Sequence, residues 1–87
     1  MNKKHKLIDV LVEVHETSKI PEFKTEIEKI AIETLFSNDS MIEMRISRLK
    51  STFEKYYPDT SSRNIISLMM KNYISKELDV EWEEKED

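Results

Sequence analysis

Apolar side chains recur along this chain at intervals of three and four residues, the spacing of one face of an α-helix, and they do so in four blocks. The first covers about residues 5 to 16, with Leu7, Leu11 and Val14 on one stripe and Ile8, Val12 and His15 beside it. Thr17 and Ser18 carry hydroxyls that compete for backbone hydrogen bonds, and they predict its end. Pro21 suits the first turn of a second helix, because the N–H it lacks would have no helical partner there. The stripe of that helix is Phe23, Ile27, Ile30, Ala31 and Leu35, with Lys24 and Glu28 as a surface pair one turn apart; the run Ser37, Asn38, Asp39, Ser40 breaks it. A third block, Ile42, Ile46, Leu49, Phe53 and Tyr56, is spaced as a heptad seam and closes at Pro58. Asp59 to Ser62 then offer four N-caps to a last helix carrying Ile65, Ile66, Met69, Tyr73 and Ile74. The predicted architecture is mainly all-α: a small helical domain of about four helices over residues 1–78, built from a helical hairpin at 1–40 and a second unit at 41–78, with an acidic tail at 79–87.

The start of the third block has two readings. If Ser40 is an N-cap, Glu43 falls at the third helical position of a capping box and one helix runs from 41 to 57. If residues 42–47 are instead extended, alternation sends Ile42, Met44 and Ile46 to one face and Glu43, Arg45 and Ser47 to the other, giving a possible short strand.

Composition narrows the function more by exclusion than by suggestion. There is no glycine among 87 residues and there are two prolines, so the positive-φ turns of hairpins and the tight loops that cradle phosphates are unsupported. No cysteine is available for a disulfide or a thiolate metal site, and His5 and His15 alone do not make a structural zinc site; no metal or other cofactor is expected. A chain of this mass buries only about 64% of its extended surface, enough for one compact unit. Lys3, Lys4, His5 and Lys6 before an apolar stretch mimic a signal peptide, but Asp9 and Glu13 interrupt that stretch, and no apolar run approaches the roughly 20 residues of a membrane helix. The expectation is a soluble cytoplasmic protein without a membrane partner.

Catalytic patterns are weak. His15-Glu16 lacks the second histidine of a zinc-protease helix, and Ser47 to Lys50 matches the serine–lysine spacing of some acyl transferases without the partner motifs; a helix surface accounts for both, so no enzyme activity is expected. Charge is more informative. The net charge of −4 divides into −2 over Met1–Ser40, +4 over Met41–Lys76 and −6 over the last eleven residues. In the middle segment Arg45, Arg48, Lys50, Lys55, Arg63, Lys71 and Lys76 face only Glu43, Glu54 and Asp59.

That basic segment reads Glu-Met-Arg-Ile-Ser at 43–47, Leu-Lys-Ser-Thr-Phe-Glu-Lys-Tyr at 49–56 and Ser-Ser-Arg-Asn-Ile-Ile-Ser-Leu-Met-Met-Lys-Asn-Tyr-Ile at 61–74, and it resembles the ribbon-helix-helix family of DNA-binding repressors. The resemblance covers about two fifths of the chain and implies a homodimer in which the 42–47 strands pair and enter the major groove of double-stranded DNA. It implies a transcriptional repressor of phage or plasmid type, with Glu43, Arg45 and Ser47 facing the groove, Lys50 and Arg63 gripping phosphates, and Ser61 and Ser62 opening a helix whose N–H groups hold another. Ile65, Ile66, Met69 and Tyr73 become the dimer core. The chain departs from the family in its shorter first helix and connection, in Pro58 where a glycine turn is common, and in the forty residues that precede the strand.

The alternative for the same residues is an antiparallel four-helix bundle with Arg45, Arg48 and Lys50 on a solvated face, resembling small helical inhibitors such as bacteriocin immunity proteins and phage proteins that bind a host enzyme. Its partner is a host protein. Met41, Met44, Met69 and Met70 fit either core packing or an adaptable binding surface. The tail alternates Leu78, Val80 and Trp82 with acids; it either packs its indole on the bundle end or, with its carboxylates, competes with phosphates for the basic segment.

Overall fold

The chain becomes helical two residues earlier than its apolar pattern predicts, because Asn2 is an N-cap whose side-chain oxygen accepts the backbone N–H of Lys4 at 2.9 Å. A computed structural model describes residues 2–82. Among them stand four helices, α1 (Lys3–Thr17), α2 (Pro21–Leu35), α3 (Ile42–Tyr56) and α4 (Ile65–Leu78), with a 3-10 turn at Asp39–Met41 and no strand. The mainly helical expectation therefore holds.

Each break has a local cause. Ser18 ends α1 with its N–H on the Val14 carbonyl at 3.0 Å. Its buried hydroxyl accepts the Ile20 N–H at 3.1 Å and lies 2.6 Å from the Tyr57 hydroxyl, tying the first connection to the end of α3. Pro21 opens α2 as predicted. At the far end of α2, Lys4 Nζ donates to the carbonyls of Leu35 and Ser37, both at 3.0 Å, which places a cation on otherwise unpaired acceptors at a helix C-terminus.

Residues 42–47 are the first turns of α3, so the short strand is not what this structure contains. The capping box is not formed either. Ser40 Oγ donates to the Asn38 side chain at 2.6 Å, Met41 occupies the cap position without a side-chain bond, and Glu43 turns outward to Lys3. What holds the segment helical is its seam: Ile42, Ile46, Leu49 and Phe53 are all buried on one face, a burial that an alternating strand would have divided differently. The last helix also starts later than Asp59 to Ser62 suggest. Asn64 is its cap, accepting the Ser67 N–H at 3.3 Å, while Asp59 accepts the Ser61 N–H at 3.0 Å in the preceding loop.

The core is one cluster drawn from all four helices, with α1 at its centre packed on α2, α3 and α4, and with α2 packed on α3. α2 runs antiparallel to α1 and to α3: Lys4 meets Leu35 and His15 meets Glu28 across α1 and α2, and Phe23 meets Phe53 and Glu33 meets Arg45 across α2 and α3. Phe23, Phe53, Tyr56 and Tyr57 close one end, mostly edge to face, with Phe53 and Tyr57 stacked at 5.3 Å. Beyond α4 the chain reverses through Asp79 at φ 54°, and Val80 and Trp82 return to the core. The tail assigned to 79–87 thus begins as packed chain, and its residues 83–87 lie outside the described residues.

Candidate interaction faces

The cations of the middle segment are largely occupied within the fold. In a helix, Glu43 and Ser47 share a face one turn apart while Arg45 points away from both, so the three groove-facing residues do not converge. Arg45 is mostly buried and donates from Nε to Ser37 Oγ at 2.9 Å and from Nη1 to Glu33 Oε2 at 3.1 Å. Arg48 donates to the same Glu33 carboxylate and approaches Glu26 at 3.9 Å. Arg48, then Arg45 and Lys29, hold the Glu33 carboxyl below the usual glutamate range. Glu43 is exposed and pairs with Lys3, whose ammonium it pushes upward, and Ser47 is exposed. Lys50 lies 5.9 Å above the Trp82 ring and Lys71 lies 5.7 Å from it, with the indole N–H donating to Ser75 and its ring on Phe53. The indole therefore fills the space between α3 and α4.

Ser61, Ser62 and Arg63 stay together and exposed, in the loop before α4 and not at its first turn. That loop's one carboxylate, Asp59, is held below its ordinary range by the N–H and hydroxyl of Ser61 and more weakly by Arg63. Among the cations of the predicted DNA-contacting set, Arg63 is exposed, whereas Arg45 and Lys50 are partly buried.

The predicted dimer core is where the structure is most informative. Ile65, Ile66 and Met69 are exposed on α4, at 63%, 48% and 64% of their full accessible surface, and Tyr73 is half-buried at the edge of the same stripe. The buried face of α4 is instead Ser67, Met70, Ile74 and Leu78. Tyr73 stands against α1, where burial and then the carboxylates of Glu13, Glu77 and Asp9 raise its hydroxyl above the ordinary tyrosine range.

Sequence reasoning missed a second apolar face. Leu35, read as part of the α2 stripe, is 57% exposed, and Thr34 is buried in its place with its hydroxyl on the Ile30 carbonyl at 2.7 Å. Ile32, Leu35 and Phe36 fall at i, i+3 and i+4, Phe36 being 87% exposed. The α1–α2 register, given by His15 with Glu28 and Lys4 with the Leu35 carbonyl, sets exposed Val12 level with residues 27–31, the turn before Ile32. The signal lay in Ile8, Val12 and His15 forming a second stripe beside the first.

Among the described residues no group of three or more His, Cys, Asp or Glu is placed to hold a metal ion, and no helix is long and apolar enough to cross a membrane. Compared with protein-family models, with curated proteins and with solved structures, the chain matches none.

Proposed function

We propose that this chain is a small helical protein-binding module of inhibitor or immunity type, acting by occupying a partner protein and not by catalysis. The observation that carries the reading is on the α1–α2 hairpin, where Ile32, Leu35 and Phe36 are exposed on adjoining turns at the end of α2 and Val12 is exposed on α1. Scattered apolar residues are ordinary on a surface, but a cluster ending in an almost fully exposed phenylalanine marks an interaction site. Phe36 stands at the end of α2 beside Lys4, whose ammonium is spent on helix carbonyls, so apolar contact is the chemistry this corner offers.

The repressor reading draws less support from the same geometry. Its base-reading Arg45 has two partners already, and releasing it would leave Glu33 with one arginine fewer. A photo-crosslinking residue placed at Phe36, with a control at exposed Glu54, tests the proposal in cells that make the protein. Capture of one protein at 36, absent at 54 and abolished by Ile32→Glu, supports it. Submicromolar binding to duplex DNA, lost in Arg63→Ala and weakening steeply with salt, together with no capture at 36, would replace it with the repressor.

A further inference from the structure

We propose that α4 is a self-association face: two copies pack their α4 helices antiparallel about a two-fold axis at Met69, burying Ile65, Ile66, Met69 and Tyr73, with Arg63 of each copy set against the carboxylates beside Tyr73 of the other. The dimer goes beyond the partner-binding reading, because it uses a different face, and it needs no strand.

The apolar part of the case is the placement of these side chains. α4 leaves three aliphatic side chains, Ile65, Ile66 and Met69, outside, as many as the Met70, Ile74 and Leu78 that it buries, while a serine is inside. At 100° per residue Ile65, Ile66, Met69 and Tyr73 form a single stripe, spaced 1, 3 and 4 apart. A helix that leaves such a stripe in water has its second partner missing.

Charge selects a second copy as that partner. A two-fold interface requires a patch that complements itself, with opposite charges at opposite ends of the apolar stripe. The α4 stripe has this character. Arg63 is exposed just ahead of Ile65, with Asp59 near it, and the carboxylates of Glu13, Glu77 and Asp9 act on Tyr73 at the other end, roughly 12 Å along the helix axis from Ile65, where they outnumber the exposed Lys76. With Met69 on the axis, Ile65 falls opposite Tyr73, so the loop that carries Arg63 just ahead of Ile65 reaches past Tyr73 toward Glu77 of the other copy. A parallel arrangement would set the acidic ends together and is disfavoured by the same charges. One helix of 14 residues spans about 21 Å, and a stable interface buries about 800 Å² per partner, so the α1 flank and the loop before α4 must share the contact and the dimer is of the smaller, weaker class.

The natural absence of cysteine gives a direct experiment. In the full chain, Met69→Cys under mild oxidation should form a disulfide-linked dimer, while Phe36→Cys should remain largely monomeric. Sedimentation equilibrium should show concentration-dependent dimerisation of the parent, with Arg63→Glu weakening it about tenfold or more and the combination Arg63→Glu with Glu13→Arg recovering most of the loss. Because Arg63 and Met69 are exposed, circular dichroism of these variants should match the parent. A parent chain that stays monomeric at several hundred micromolar overturns the proposal, as does efficient crosslinking at 36 with none at 69. Loss in Arg63→Glu without recovery in the double variant overturns the antiparallel register.

Discussion

α3 and α4 are nearly equal in length, 15 and 14 residues, and they use their side chains in opposite ways. α3 is the more polar, yet it buries Ile42, Ile46, Leu49 and Phe53 and directs Arg45 and Arg48 to carboxylates on α2. α4 is the more apolar, yet it buries Ser67 and leaves Ile65, Ile66 and Met69 outside. The difference lies in what surrounds each helix. α3 touches α2 and α1 and is closed by Trp82, whereas α4 packs chiefly on α1 and can shelter only a narrow face. The apolar face of a helix is decided by the number of neighbours it finds, and a helix with one neighbour leaves the remainder for a partner.

The largest effect that separates the two helices should come from trimming one aromatic. Phe53 is buried against Phe23, Tyr57 and Trp82, so Phe53→Ala removes the contact that joins α2, α3 and the returning chain. Chemical denaturation should show a loss of about 3–5 kcal/mol, a large fraction of the stability of a domain of this size. Met69→Ala on α4 should cost less than about 0.5 kcal/mol when measured on dilute, monomeric protein. Similar losses at the two positions would mean that α4 is as fully enclosed as α3.

This asymmetry also explains what was legible in the sequence. The α3 seam could be read whole, because a helix flanked by neighbours keeps its regular i, i+3, i+4 pattern at the core. On α2 the same reading drifted by one position at its end, taking Leu35 for Thr34; a threonine that satisfies its hydroxyl on the preceding turn can be buried, and periodicity does not report this. On α4 the most apolar positions were identified and assigned to an interface, but the residues that hold the monomer together, Ser67, Met70 and Leu78, had no distinctive pattern. The expected DNA-contacting set follows from the family resemblance position by position, and a local resemblance does not reveal that Glu33, twelve residues from Arg45, takes that arginine. Long-range pairing of this kind is a product of the fold.

A smaller effect of opposite sign should come from the buried face of α4. Among the described residues, Ser67 Oγ is buried without a hydrogen-bond partner. An unsatisfied hydroxyl in a core carries a desolvation cost with no compensating bond, and alanine has the higher helix propensity. Ser67→Ala should therefore stabilise the domain by about 1 kcal/mol, read as a higher denaturation midpoint with an unchanged slope. A loss of stability would show that the hydroxyl has a partner in solution and that α4 is better fitted to α1 than its composition implies. Because Ser67 lies on the face opposite Ile65 and Met69, the substitution should leave self-association unaltered, which keeps the two faces of α4 separable by experiment.

The smallest expected effect concerns the polar side of α3 and follows from acid. Glu33 has its carboxyl lowered chiefly by hydrogen bonding to Arg48, and further by the charges of Arg48, Arg45 and Lys29. A carboxyl that is easier to ionise in the folded state than in the unfolded one binds fewer protons when folded, so its stabilisation is complete above the ordinary glutamate range near pH 4.5 and is lost as the pH falls through the lowered folded value. Glu33→Gln removes this dependence. The variant should be less stable than the parent at pH 7, and the gap should narrow as both are acidified below about pH 5. Asp59 is also lowered, but it titrates in parent and variant alike and drops out of the difference. Both side chains of the Glu33 pairing are partly open to solvent, so 0.5 M salt should shrink the gap at neutral pH as well. A gap that stays constant with pH would mean that glutamine keeps the contacts of Glu33 by hydrogen bonding alone, and that the arginines of α3 are held in place by geometry with charge contributing little.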